Sequence, residues 1–306
     1  MTTMTTRVIV NDKVTKAVFN MTVEENQDLE KYRSVSIDID EKVKNAISNV
    51  IIKLVDEYTG RSNLTVFDKG VFCACISAQI NGSNAISVNQ IYRYLGGSET
   101  NTIPNLMAKS IEDSLVRLMS CIVSVDCSQL ARKSKYKFRK TFFRAPILPG
   151  TYEEGNINGK KIKVFRFYED SPLFEIAEIK GQVLNVPLDA YKVENLNHTP
   201  RVVSIKEYVV QRVVEYQRAK DKRHLSNFIL FSEIFHAAEI DESNKLQRQT
   251  ARNSIKAILD SLVDNHILDS YDFVLRGKHY HSIKFSVVDG FIDKDISVGD
   301  LISLNS

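Results

Sequence analysis

This chain carries little of what marks a secreted scaffold, a membrane protein or a nucleotide-driven enzyme. Its 306 residues include only four cysteines, six prolines and twelve glycines. Cys73, Cys75, Cys121 and Cys127 fall inside helix or strand patterns and lack metal-site spacing. With no signal-peptide pattern ahead of them, they are expected to be small core residues in a reducing interior. No stretch approaches the roughly 20 apolar residues that a membrane span requires. There is no phosphate-binding glycine loop of the Walker type, so ATPase activity is not expected; Gly96-Gly97-Ser98 reads as a helix stop. No serine or cysteine sits in a nucleophile setting, and the scattered carboxylates pair with nearby lysines more readily than with each other. No long low-complexity run is present, and only the Thr-rich first six residues are expected to fray. A net charge of +3 makes no polycation, so any affinity for nucleic acid has to come from local patches.

What is present is an ordered set of elements in the last third. Residues 204–220 read as an amphipathic helix with Ile205, Val209, Val213 and Tyr216 at helical spacing, opened by a capping box of Ser204 and Glu207. A short apolar run at 228–231 follows, then a second helix from Ser232 through Ile234 and Phe235. After a turn at 241–244 comes a third helix, from Lys245 to about His266, with an apolar stripe of Ala251, Ile255, Ile258, Leu259 and Leu262. Strands at 267–275 and 279–287 flank Arg276-Gly277-Lys278, where glycine permits a tight turn. Helix, strand, helix, helix and hairpin is the winged-helix order.

The polar residues of the third helix suit DNA reading. Lys245, Arg248, Gln249, Arg252, Asn253 and Lys256 fill its N-terminal half, with 248, 252 and 256 along one stripe. Arginine can bind guanine bidentately and Gln or Asn can bind adenine, while flanking cations neutralise phosphate. A solvated helix face is the plain alternative. The tip of the hairpin, Arg276, Lys278 and His279, favours DNA, since a wing places such residues against the backbone or minor groove.

The same order occurs earlier. Residues 64–80 form a helix and Ala85-Ile86 a short strand. Ser87 and Gln90 cap the helix at 88–95, which Gly96-Gly97 ends. A third helix holds Pro104 in its first turn and carries Leu106, Met107, Ile111, Leu115 and Leu118; a strand at 121–127 follows. Here Lys109 and Arg117 are opposed by Glu112 and Asp113, so this helix suits protein contacts better than a groove. Behind it, Arg132, Lys133, Lys135, Lys137, Arg139, Lys140 and Arg144 are interleaved with Tyr136, Phe138, Phe142 and Phe143, with no acid among them. Alternation of Lys135, Lys137 and Arg139 against Tyr136 and Phe138 would put the cations on one face of an extended segment and the rings on the core side. Phosphate contact is the preferred reading, and a charged edge strand the alternative. Residues 151–178 add a hairpin, with 162–168 returning after a turn at 155–159, so the first wing is large.

The expected fold is α+β: two tandem winged-helix domains with an N-terminal extension. The boundaries fall at 1–60 for the extension, 61–183 for the first winged helix, 184–200 for a linker bracketed by Pro187 and Pro200, 201–290 for the second winged helix and 291–306 for a tail. Within the extension, residues 7–21 can hold a strand or two, 35–39 a strand, and 41–58 an amphipathic helix burying Val43, Ile47, Val50, Ile51 and Leu54.

Three stretches carry a family resemblance. Leu64-Thr65-Val66-Phe67-Asp68-Lys69-Gly70-Val71, Ile91-Tyr92-Arg93 and Ile111-Glu112-Asp113-Ser114-Leu115 resemble the first winged helix of plasmid-type replication initiator (Rep) proteins of bacterial mobile elements. The resemblance spans roughly residues 64–285. It implies that the C-terminal domain reads repeated origin sites in double-stranded DNA. It also implies that the N-terminal domain supports a homodimer and a second DNA contact, with host replication proteins as partners and a location in the bacterial cytoplasm on nucleoid or plasmid. The same scaffold serves winged-helix transcriptional regulators, which remain the alternative.

One motif invites catalysis. In His279-Tyr280-His281 a strand period of two would point both imidazoles to one face, as in metal-dependent rolling-circle nickases. Those enzymes need a nucleophilic tyrosine after the histidine motif, and none follows Tyr280. No catalytic residue, metal or cofactor is therefore expected.

Overall fold

A computed structural model describes residues 6–10, 13–19, 32–38, 47–54, 64–97, 103–133, 140–157, 160–194, 196–218 and 226–288. They form an α+β protein of helices and several small sheets. The chain divides into two compact units, one of residues 8–92 and 103–184, the other of residues 1–7, 93–102 and 185–306. The expected tail, 291–306, lies outside the described residues.

The first described elements are β1 (Thr6–Val10), a short helix α1 (Lys13–Val18), β2 (Tyr32–Asp38) and β3 (Ile47–Leu54). β3 overturns the helix expected over residues 41–58. Ile47, Val50, Ile51 and Ile52 are β-branched, and pairing on both edges outweighs their near-helical spacing. Val50 lies opposite Val35 of β2 on one side and Val125 on the other.

Next come α2 (Val66–Ile80), β4 (Ala85–Ser87), α3 (Val88–Tyr94) and α4 (Asn105–Ser120). Two capping boxes set the starts. The Thr65 hydroxyl accepts from the Asp68 amide while the Asp68 carboxylate accepts from the Thr65 amide, 3.3 and 2.8 Å. Ser87 and Gln90 form the one expected, at 3.2 and 2.8 Å. α2 is buried on every side from Val66 to Ala78. It holds Asp68, whose carboxylate takes Nη2 of Arg117 at 2.6 Å and Nε at 3.1 Å from α4. Arg117 is thus a core residue. On α4, Met107, Ile111, Leu115 and Leu118 are buried as expected, but Leu106 is 71% exposed.

Past α4 run β5 (Cys121–Asp126), α5 (Ser128–Lys133), β6 (Phe142–Pro146), the hairpin β7 (Gly150–Ile157) and β8 (Lys160–Phe167), then α6 (Pro172–Ile179) and β9 (Val183–Pro187). The strand at 121–126 does not continue into a wing. It joins β2, β3 and β6 in a four-stranded sheet of order β2-β3-β5-β6, so residues 32–54 are part of this unit's sheet rather than a separate extension. The sheet beside the helices has the order β4-β8-β7, with the long hairpin supplying two strands. All four cysteines are buried and free. Burial pushes the Cys121 thiol up to about 12 and raises Cys75 as well.

In the other unit, residues 185–200 are not an open linker. Leu188–Tyr191 form a 3-10 turn whose Leu188, Ala190 and Tyr191 are buried. α7 (Pro200–Arg218) begins with proline at its first position, and the Thr199 hydroxyl accepts from the Val202 amide at 3.3 Å. Ser204 and Glu207 are therefore not the cap; both are buried within the helix. Glu207 instead pairs with Arg7 at 2.8 Å, both fully buried, and the Arg7 guanidinium lies 4.0 Å from the centre of the Tyr191 ring. Lys206 donates to the Tyr191 carbonyl at 2.6 Å. Burial, helped by Arg7, pushes Lys206 down to about 7, and burial next to Lys206 pushes His198 down to about 4. Gly96, at φ +84°, ends α3 as expected; a Cβ there would lie 1.9 Å from the Tyr191 carbonyl oxygen, so only glycine fits.

The remainder is β10 (Phe228–Leu230), α8 (Phe231–Ala237), α9 (Lys245–Asp264), β11 (Leu268–Arg276) and β12 (His279–Val287), with sheet order β10-β12-β11. Asn244 opens α9 by accepting from the amides of Leu246 and Gln247, 3.0 and 3.1 Å. The expected stripe of Ala251, Ile255, Ile258, Leu259 and Leu262 is buried. Arg276 and His279 face each other across a two-residue loop that starts with Gly277 at φ +61°.

Candidate nucleic-acid interface

The helix α9 separates its faces cleanly. Lys245, Gln249, Asn253 and Lys256 are exposed, and Arg248 and Arg252 are half-buried at the edge of the apolar stripe. Among the described residues, no carboxylate forms an ion pair with Lys245, Arg248, Arg252, Arg276 or Lys278. Unpaired cations of this kind are available to an anion without first releasing an acid. The Nε atoms of Arg248 and Arg252 are buried without a hydrogen-bond partner among the described residues. Arg252 rests on a ring, its guanidinium carbon 4.8 Å from the centre of Tyr280. Lys256 behaves differently, for its ammonium group lies 2.6 Å from the Asp260 carboxylate one turn on. Asp260 also accepts from the Tyr271 hydroxyl. Burial raises the pKa of that phenol, and the hydrogen bond to Asp260 adds to the rise.

At the hairpin tip Arg276, Lys278 and His279 are all exposed. The histidine triplet is not built as the period of two implies. Leu275 lies opposite Tyr280 and Val274 opposite Ser282, which leaves His281 as an extra residue without a partner. Across that bulge, strand spacing no longer fixes the two imidazoles on one face. Among the described residues, no group of three or more His, Cys, Asp or Glu is placed to hold a metal.

In the other unit the cationic segment is described only in part. Lys135, Lys137 and Arg139 lie outside the described residues. Arg132 and Lys133 belong to the helix α5. Arg132, Lys140 and Arg144 are exposed, Lys140 with Glu175 3.9 Å away. On β6, Phe142 and Arg144 point outward and Phe143 inward. The hairpin of this unit is charge-matched: Lys163 meets Glu112 at 2.9 Å and Glu154 at 3.4 Å, and Arg166 meets Glu153 at 3.3 Å. Of the cations on α4, Lys109 is exposed and Arg117 is committed to Asp68. The two units thus differ in available charge, because acids occupy the described cations of one hairpin and leave those of the other free.

Three features escaped the sequence. Leu246, in the first turn of α9, is 75% exposed beside Lys245 and Gln249. Asp260 holds Lys256, a pairing that the i,i+4 spacing could have shown. Tyr280 seats Arg252, which no local spacing predicts.

No protein-family model and no curated protein matches this chain. Among solved structures, a selenomethionine derivative of domains 2 and 3 of RctB aligns with a TM-score of 0.43 and 11% identity, over 90% of this chain and 98% of that one. A second structure of RctB domains 2–3 gives 0.43 and 10%, over 90% and 96%. Likenesses of that degree carry no argument about what this chain does. No helix among the described residues is long and apolar enough to cross a membrane.

Proposed function

We propose that the chain is a sequence-specific double-stranded DNA-binding protein whose two units are each built round a winged helix. In the C-terminal unit α9 enters the major groove, and the β11-β12 hairpin lies along the backbone. The observation that carries this reading is the first half of α9. It presents Lys245, Arg248, Gln249, Arg252, Asn253 and Lys256 with no acid before Asp260, next to an unpaired cationic hairpin tip. The element order α7, β10, α8, α9, β11, β12 with sheet order β10-β12-β11 supports the winged-helix assignment. The order α2, β4, α3, α4, β7, β8 with sheet order β4-β8-β7 supports it for the other unit, where β5, α5 and β6 form an insertion.

The biological role we propose is replication initiation at repeated sites of a plasmid or mobile element, on the resemblance of roughly residues 64–285 to Rep proteins. The protein binds without cutting and has no cofactor. Its N-terminal unit serves for homodimer contacts and, through Arg132, Lys140 and Arg144, for phosphate. Host replication proteins are its further partners, in the bacterial cytoplasm.

A duplex enriched by the protein from a random pool, and a scrambled duplex, test the interface over a salt series. Arg248→Ala and Arg252→Ala should each weaken specific binding by about 1–3 kcal/mol with less effect on the scrambled duplex. Unchanged specific affinity in both would remove α9 from the interface. Directly repeated copies of the enriched site beside an AT-rich tract next to the gene support initiation; a single operator over a promoter supports the transcriptional-regulator reading.

A further inference from the structure

We infer that Tyr280 is the positioning residue that fixes Arg252 for base reading, and that the bulge at His281 exists in the fold to put it there. The inference rests on the DNA-binding reading of α9 and adds a residue outside that helix to its specificity. A carboxylate that held an arginine would offset the charge it offers to a base or phosphate and take up some of its N–H donors. An aromatic ring can hold the face of the guanidinium and leave its terminal N–H donors free at the edge.

Arg252 is held in that way. Its guanidinium carbon is 4.8 Å from the Tyr280 ring centre, its Nε is buried without a hydrogen-bond partner, and it forms no ion pair among the described residues. The ring is itself fixed. It meets Phe273 edge-on at 5.4 Å and 90°, and Phe231 at 5.6 Å and 58°, while Phe231 packs on Phe235 at 5.8 Å.

The bulge explains how a wing residue reaches this cluster. Ile283, fully buried, lies opposite Phe273, and Tyr280 lies opposite Leu275. Phe273 and Leu275 are two apart and share a face, so their partners Ile283 and Tyr280 share it as well. In a regular strand, residues three apart face opposite ways. The unpaired His281 supplies the missing step and turns Tyr280 to the side of Phe231, Phe273 and α9. On this account the histidine triplet is a device for placing a ring, and the tyrosine at its centre is the functional residue.

A double-mutant cycle on the full-length protein, titrated against its pool-enriched duplex and a scrambled one, tests this. Tyr280→Leu should weaken specific binding about 5-fold, a typical loss for a half-exposed cation–ring contact, while Tyr280→Phe should stay within about 2-fold of the parent because the ring is kept. In an Arg252→Ala background Tyr280→Leu should cost nothing further. In an Arg252→Lys background it should cost little, since the ammonium lacks the flat face. A merely structural tyrosine would weaken binding equally in all backgrounds and on both duplexes, and that result overturns the proposal. So does a Tyr280→Leu variant that binds like the parent while Arg252→Ala does not. If Arg252→Ala itself binds like the parent, the reading of Arg252 fails first and this inference falls with it.

Discussion

Replacing Asp260 by asparagine should make the protein bind DNA more tightly, although the substitution adds no contact. Lys256 lies on the cationic stripe of α9, but its ammonium group is 2.6 Å from the Asp260 carboxylate. The pair is solvent-exposed, its side chains 61% and 45% accessible, so it contributes no more than about 1 kcal/mol to folding. An asparagine oxygen can still accept from the Tyr271 hydroxyl, which preserves the tie between helix and hairpin. What changes is the charge available to phosphate. Each cation that displaces counterions steepens the dependence of log affinity on log salt by about 0.9, so one freed lysine is worth roughly 8-fold at 0.1 M salt. Between 50 and 200 mM the extra loss of affinity should be about 3.5-fold. Fluorescence anisotropy over that range with parent and Asp260→Asn measures both. As a reference, Arg276→Ser with Lys278→Ser removes two unpaired cations and should flatten the slope by about 1.8. The reasoning is refuted if the wing-tip variant flattens the slope as stated while Asp260→Asn changes neither affinity nor slope.

Arg117→Met should destabilise the N-terminal unit by about 3–5 kcal/mol, because it strands the fully buried Asp68 carboxylate; urea unfolding that shifts by less than about 1 kcal/mol would mean that water reaches the pair. The His198 imidazole is pushed down to about 4 by burial, so the unfolded chain takes up its proton first as the pH drops. Stability should therefore be lost between about pH 6.5 and 4 and be insensitive to this group above that window, and His198→Gln should flatten the profile of denaturation midpoint against pH. His279→Ala and His281→Ala should leave supercoiled plasmid as intact as the parent protein does, with or without added divalent metal. Metal-dependent nicking that either substitution abolishes would make the protein an enzyme.

The helices and hairpin of the C-terminal unit were legible because their signals are local. Asn244 caps α9, Gly277 turns the hairpin, and the apolar stripe of α9 has an unbroken helical period. The failures are non-local. Residues 47–54 carry an ambiguous pattern, and the strands on either side of them in space, β2 and β5, decide it. Ser204 and Glu207 have the spacing of a cap, but Thr199 and Pro200 start the helix earlier, and Glu207 is instead the buried partner of a residue two hundred positions away. A boundary at Arg201 would thus leave Glu207 without Arg7 and Lys206 without the Tyr191 carbonyl. At the interface the residue types were readable from sequence, while their states of pairing were not. Arg248 and Lys256 look alike in a helical wheel, and only the structure separates a cation with no ion pair among the described residues from one held by Asp260.

The buried pair of Arg7 and Glu207 sets an order for synthesis. Glu207 follows Arg7 two hundred residues later in synthesis, a wait of about 10–40 s at ordinary elongation rates. The unit of residues 8–92 and 103–184 has its last residue 23 positions before Glu207, about 1–5 s earlier. A nascent chain therefore holds Arg7 without its buried partner until residues 8–184 have been made, and the unit that contains both closes after that. Any truncated product that ends before α7 lacks Glu207 and so leaves Arg7 without its buried partner.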